Sequence, residues 1–214
     1  MYPTGVKFIT VGLGLKTMTP EGYDAVIDRI GPAGEQLAEQ GANAVVLMGT
    51  SLSFYKGAAF NVRLTETLRK ATGLPVTTMS TGVIEGLRAV GAKRVVAATA
   101  YDTEVNERLQ AFLKESGFEV LGVKGLGIKK VEDVDRVTQD GLLKFCVGVR
   151  ETQPNANAML VSCGGLRTLE LLAPLEKLGH VPVISSTPHA LWAGVRQLGL
   201  SGRAPRFGTL LSKA

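Results

Sequence analysis

The chain has 214 residues, 45% of them hydrophobic and 20% charged, with a formal net charge of +5. This suits one large or two small globular domains, and no apolar run approaches the roughly eighteen residues that span a bilayer. The basic residues are scattered without interleaved aromatics, which argues against nucleic acid and leaves a mild preference for a small anion. The start, Met1-Tyr2-Pro3-Thr4-Gly5, lacks the regions of a signal peptide. Cys146 and Cys163, 17 positions apart, form neither a disulfide framework nor a zinc pattern. The expectation is a cytoplasmic protein with no membrane or nucleic-acid partner and no metal.

Strand and helix patterns alternate along the chain, as in an α/β protein with parallel sheets. Val6 to Val11 reads as a strand, and Thr19-Pro20 starts a helix that Gly31-Pro32 should kink before Gly41 ends it. Residues 44–48 form a strand, 49–57 a loop and 61–71 a helix. A short strand over 75–79 and a helix over 81–90 follow. The rhythm then repeats: strand 93–99, amphipathic helix 102–116, strand 118–123, glycine-rich loop 124–130 and a short helix over 131–137. Helix 138–152, strand 158–162, a helix over 166–178 bent at Pro174, strand 181–185 and helix 188–198 complete it. Seams near Gly91 and Ser186 divide the chain into a first half, 1–90, and a second, 91–186. The last helix, within 187–214, is expected to return to the first half.

Two similar strands stop in small and hydroxyl residues. Ala44-Val45-Val46-Leu47-Met48 runs into Gly49-Thr50-Ser51, and Ala158-Met159-Leu160-Val161-Ser162 runs into Cys163-Gly164-Gly165. Ligands of open α/β folds sit at the carboxyl ends of such strands, so the two halves would frame one site. One wall would carry a thiol and the other a bare glycine. Thr50 and Ser51 are hydroxyls that can hold negative charge developing on oxygen, or simply satisfy their own turn. Tyr101, after strand 93–99, either points into the same crevice or packs as a buried ring. Cys146 sits on an apolar helix face and reads as core. His180 reads as solvated, and His189 either approaches the site or, the favoured reading, sits at a surface helix position; no cysteine–histidine–acid set supports nucleophilic hydrolysis. Gly12-Leu13-Gly14-Leu15 lacks the third glycine and the acid of a dinucleotide fingerprint, and Gly125-Leu126-Gly127 is as weak.

These residues, together with Thr19-Pro20-Glu21-Gly22-Tyr23-Asp24-Ala25-Val26, Leu52-Ser53-Phe54-Tyr55 and Val105-Asn106-Glu107-Arg108-Leu109, resemble the aspartate/glutamate racemase superfamily. Within it they are most similar to the arylmalonate decarboxylase family. Racemases of the superfamily carry a cysteine at both strand ends, whereas Gly49 takes the first position here. The resemblance implies two Rossmann-like, flavodoxin-like parallel-sheet halves related by a pseudo-twofold, with the active site in the cleft between them. It also implies cofactor-free decarboxylation of an α-aryl malonate through an enediolate. Thr50, Ser51, Tyr101 and the Cys163-Gly164 backbone would hold that enediolate, and the Cys163 thiol would protonate it from one face. Leu15, Met18, Val131 and Val134 would line an apolar pocket, Gly49 would leave room for the aryl group, and Tyr23, Leu52 and Gly165 would complete the substrate site. The partner implied is a small malonate or carboxylic acid, bound by a monomer or weak homo-oligomer.

Related enzymes begin with a further strand and a proline-bearing loop, and this sequence starts after both. Either that segment lies outside the sequence, or the first sheet lacks a central strand. A racemase or cis–trans isomerase of small carboxylic acids is the alternative activity, and a non-catalytic carboxylate binder the third.

Overall fold

The computed structural model describes residues 1–2 and 5–213. Among the described residues six short strands form two parallel sheets. β1 (Val45–Leu47) and β2 (Val76–Thr78) make the first, with Val45 opposite Val76 and Leu47 opposite Thr78. β3 (Arg94–Thr99), β4 (Glu119–Gly125), β5 (Ala158–Ser162) and β6 (Val183–Ser185) make the second, in the order β4-β3-β5-β6. β5 is buried along its whole length, as a central parallel strand covered on both faces must be. That burial is why its sequence is a continuous apolar run rather than an alternation.

Helices connect the strands: α1 (Pro20–Asp24), α2 (Ile30–Glu39), α3 (Thr50–Phe54), α4 (Ala58–Thr72) and α5 (Met79–Ala89) in the first half. α6 (Thr103–Glu115), α7 (Gln139–Glu151), α8 (Leu172–Gly179), α9 (Ser186–Arg196) and α10 (Gly208–Lys213) follow. Side-chain caps start several of them: Thr19 accepts from Gly22 N–H, Thr78 from Thr81 N–H, Asp102 from Val105 N–H and Thr138 from Gly141 N–H. α9 packs on α5, β1 and β2. The approach is close enough that a Cβ on Gly82 would lie 2.8 Å from the His189 carbonyl oxygen. Glycine in α5 therefore fixes where the first turn of α9 sits.

The structure departs from the sequence expectations at several points. Residues 6–11 form no strand, because no neighbouring strand supplies a hydrogen-bond ladder there; Ile9, Thr10 and Val11 instead border a cavity along β1. The first long helix breaks at Ala25–Val26 and not at Pro32. Pro32 is the third residue of α2, where a missing N–H leaves no intrahelical bond unmade. Pro174 occupies the same place in α8, so neither proline bends a helix. α3 lies within the expected 49–57 loop, and α10 adds a helix beyond the expected 188–198. His189 is 1% exposed and not on the surface. Among the described residues no helix is long and apolar enough to cross a membrane, and no cluster of His, Cys, Asp and Glu could hold a metal ion.

Candidate active site

Each sheet contributes two strand ends to one buried polar cluster. β1 ends at Leu47, and Met48 and Gly49 lead into α3, so Thr50 and Ser51 stand in its first turn. β2 ends at Thr78 and hands into Met79, the first residue of α5. β5 ends at Ser162, followed by Cys163, and β6 ends at Ser185, followed by Ser186 of α9. Thr50 Oγ donates to Ser186 Oγ at 2.7 Å, with the Met79 sulfur also at 2.7 Å as its other acceptor. The Cys163 N–H donates to the same Ser186 Oγ at 3.1 Å. The two strand ends singled out by the sequence thus meet on one hydroxyl, and that hydroxyl is contributed by the helix that returns from the second half to the first.

The thiol of Cys163 is nearly enclosed, at 5% exposure, and it points at the Met18 sulfur 3.8 Å away. Met18 is held there by a short antiparallel clasp. Its N–H donates to Lys129 C=O at 2.7 Å, Val131 N–H donates to Lys16 C=O at 2.9 Å, and Thr17 bridges Lys130. Burial pushes the Cys163 thiol up to about 11, outweighing the Gly165 and Leu166 amides that favour the thiolate. At neutral pH this sulfur therefore carries its proton. It is equipped to give a proton and poorly equipped to attack as a thiolate. Cys146 is fully buried on α7, and its thiol is pushed up to about 12 by burial alone.

Two tyrosines face the cluster. The Tyr101 hydroxyl shares a hydrogen bond with Ser162 Oγ at 3.2 Å, and its ring meets Phe54 edge-on with centroids 5.9 Å apart. The Tyr23 hydroxyl is buried and closes no hydrogen bond among the described residues, although Ser51 stands beside it. An unpaired buried hydroxyl forfeits about 1–3 kcal/mol unless something binds it, so Tyr23 is a donor awaiting an acceptor. Burial, and secondarily the proximity of Cys163, raises the pKa of both phenols, so both remain protonated.

The remaining expected site residues divide among the surroundings. Leu15 and Leu52 line a cavity of about 260 Å³ along β1, together with Met48 and Ile30, and none of its lining side chains is charged. A Cβ on Gly49 would come 3.1 Å from the Cβ of Leu52. Val134 is buried against Gly165, whose added Cβ would meet it at 3.0 Å. Val131 is 38% exposed, since it belongs to the outer strand of the clasp. Gly164 and Gly165 border a second cavity of about 730 Å³, shared with Leu166, Arg167, Thr187 and Tyr2. The Gly164 N–H makes no hydrogen bond among the described residues, whereas the Cys163 N–H, expected to be a free donor, is committed to Ser186.

Ser186 and Met79 were not legible as site residues from local patterns. Ser186 lies 136 positions from Thr50. A usable signal exists nonetheless: Val183–Ser185 is a third apolar run ending in hydroxyls, Ser185-Ser186-Thr187, like the two strand ends already noted. His189 supports this turn from within, its Nδ1 lying 2.9 Å from the Ser185 N–H. Burial lowers its imidazole to about 4, so it is neutral.

The sequence and the fold are shared with known proteins. The arylmalonate decarboxylase family model matches residues 1–211. The arylmalonate decarboxylase of Bordetella bronchiseptica is 49% identical over 215 residues, covering 100% of this chain and 89% of the relative. Among solved structures, a Gly-to-Cys, Cys-to-Ser double mutant of arylmalonate decarboxylase in its liganded form superimposes with a TM-score of 0.96. It shares 48% identity and covers 100% of this chain and 91% of that one. The maleate isomerase of Nocardia farcinica is 25% identical over 130 residues, covering 60% of this chain and 51% of the relative.

Proposed function

This chain belongs to the arylmalonate decarboxylase family and is a carbon–carbon lyase, and from that premise we propose that it decarboxylates α-aryl malonates through an enediolate that Cys163 alone protonates. The observation that carries this reading is the asymmetry of the two strand ends. One presents a protonated sulfur and the other a glycine followed by hydroxyls, and both are joined at Ser186. The solved double mutant of a relative replaces a glycine by cysteine and a cysteine by serine, and glycine and cysteine are the residue types that stand at 49 and 163 here.

In the proposed reaction one carboxylate of the malonate is taken into apolar surroundings, for which the uncharged lining around Leu15 and Leu52 is suited. Loss of its hydration favours departure as neutral carbon dioxide. The electron pair left on the central carbon delocalises into the second carboxylate as an enediolate. The hydroxyls of Thr50, Ser51, Tyr23 and Tyr101 and the Gly164 N–H are the donors available to hold those oxygens. Each such donor is worth about 3–4 kcal/mol of barrier. Cys163 then transfers its proton to the planar carbon from its own side, and because no second acid stands opposite, one enantiomer of the α-aryl acid results. Solvent restores the thiol. No cofactor is required in this scheme.

The test is incubation with phenylmalonate, following carbon dioxide. Release of carbon dioxide supports the reading. Interconversion of maleate without gas would instead support the isomerase alternative, and calorimetric binding of phenylmalonate without turnover would support a carboxylate binder.

A further inference from the structure

We propose that Ser186 is a positioning residue that couples the Cys163 amide to the Thr50 hydroxyl, and through Thr50 to the oxyanion. The inference rests on the decarboxylase reading and adds to it a residue that does not touch substrate. It follows from counting protons. Ser186 Oγ is fully buried and lies 3.1 Å from the Cys163 nitrogen and 2.7 Å from Thr50 Oγ. The amide can only donate, so one lone pair of Ser186 is always taken. The contact with Thr50 is different, because either hydroxyl can be its donor.

With nothing bound, Thr50 has one proton and two acceptors, Ser186 Oγ and the weakly accepting sulfur of Met79. Its proton is therefore spent on Ser186. When an oxyanion arrives, Thr50 must turn that proton outward, and its own oxygen is then left without a donor. Of the groups around it, Met79 is a thioether with no proton to give, and the Tyr101 hydroxyl is already paired with Ser162 Oγ. Ser186 has one, and can supply it along the existing 2.7 Å contact by rotating its hydroxyl, with no heavy atom moving. The result is a directed chain: Cys163 N–H to Ser186 Oγ, Ser186 O–H to Thr50 Oγ, Thr50 O–H to the enediolate. Hydrogen bonds in such chains polarise and strengthen one another. The chain also begins on the residue that carries the proton-donating thiol, so the group that holds charge and the group that quenches it share a support.

The placement of Ser186 is itself well determined. It opens α9, the helix held against α5 at Gly82, and its neighbour Thr187 donates to Gly164 C=O at 2.8 Å. Met79 occupies the matching place in the first half, at the start of the helix after β2. One symmetry-related position thus holds a proton-bearing oxygen and the other an aprotic sulfur, which gives the chain its direction.

The test is a double-mutant cycle on phenylmalonate turnover with Ser186→Ala, Thr50→Val and the two combined, with thermal unfolding of each. Ser186→Ala should lower kcat by about 10- to 100-fold, the cost of leaving the buried Thr50 oxygen without a donor, with KM within threefold of wild type. The double variant should turn over no more slowly than Thr50→Val alone, because Ser186 acts through Thr50. If Ser186→Ala does not fold, Ser186→Cys, a poorer donor of similar shape, takes its place with the same expectations. In an active wild type, a kcat within twofold of normal for the Ser186 variant, or losses that multiply in the double variant, overturns this inference alone. A wild type that releases no carbon dioxide overturns it together with the reading it rests on.

Discussion

The two sheets bring the same construction to the cleft and finish it with different chemistry. β1 and β5 both run on into glycine within two residues, and β2 and β6 both hand directly into a helix. On the first side the products are oxygens: Thr50 and Ser51, backed by the thioether of Met79. On the second they are the Cys163 thiol and two glycines, backed by Ser186. A symmetric scaffold with a thiol on each wall would treat both faces of a planar carbon alike. In the proposed reaction, glycine in place of one thiol leaves a stereochemically one-sided acid and the opposite wall free to stabilise charge.

The largest effect should come from erasing the acid. Cys163→Ser puts a much weaker acid in the same place and should cut turnover by roughly 10²- to 10⁴-fold, the usual contribution of a general acid. Steady-state carbon dioxide release checks it, and near-normal turnover would remove the assigned role. In the wild type, a donor with its thiol at about 11 stays protonated through neutral and mildly alkaline pH. The pH profile of kcat should accordingly show no loss attributable to this sulfur near pH 8.5.

Making the walls alike is the next test. Gly49 has extended backbone that any residue adopts, so Gly49→Cys requires only that Leu52 yield by a few tenths of an ångström. A second thiol opposite the first should erode the optical purity of the product, read by chiral chromatography. Unchanged purity in a folded, active variant would mean that residue 49 does not face the substrate.

The remaining predictions concern what holds the walls together. His189 is neutral in the fold, lowered from 6.5 to about 4 by burial. Above pH 6.5 it is neutral folded or unfolded and costs nothing. Between pH 6.5 and about 4 only the unfolded chain takes up the proton, so stability falls as pH drops, by about 3 kcal/mol at most, and then levels off. Denaturant midpoints against pH should show that slope, and His189→Asn should lack it. Gly82→Ala places a methyl against the His189 carbonyl and should cost about 1–3 kcal/mol. Because α9 carries Ser186, activity should fall along with the unfolding temperature; a variant as stable as wild type would show that α5 and α9 can separate freely.

Much of this was legible in the sequence, for identifiable reasons. The strand over residues 158–162 was readable because a central parallel strand must be apolar on both faces, and helix starts were readable where a hydroxyl or carboxylate caps them, as at Asp102 and Thr138. Val6 to Val11 has strand composition, but composition cannot provide a pairing neighbour. Pro32 and Pro174 looked like kinks because the true helix starts, Ile30 and Leu172, carry no side-chain cap to announce them. His189 looked like a surface helix residue because its burial depends on two glycines of α5 about a hundred residues away, Gly82 and Gly86. Ser186 was hidden for the same reason: its partners come from both halves. Local chemistry can be read from local sequence, while convergence belongs to the fold.

The central claim is that one sulfur delivers one proton to one face, and decarboxylation of α-methyl-α-phenylmalonate in deuterated water tests it most directly. The account predicts a single predominant enantiomer of the monoacid bearing one deuterium at the α carbon, formed by the wild type and lost with Cys163→Ser. Carbon dioxide release that yields a racemic deuterated acid, or that persists with the same enantiomer in Cys163→Ser, would contradict it.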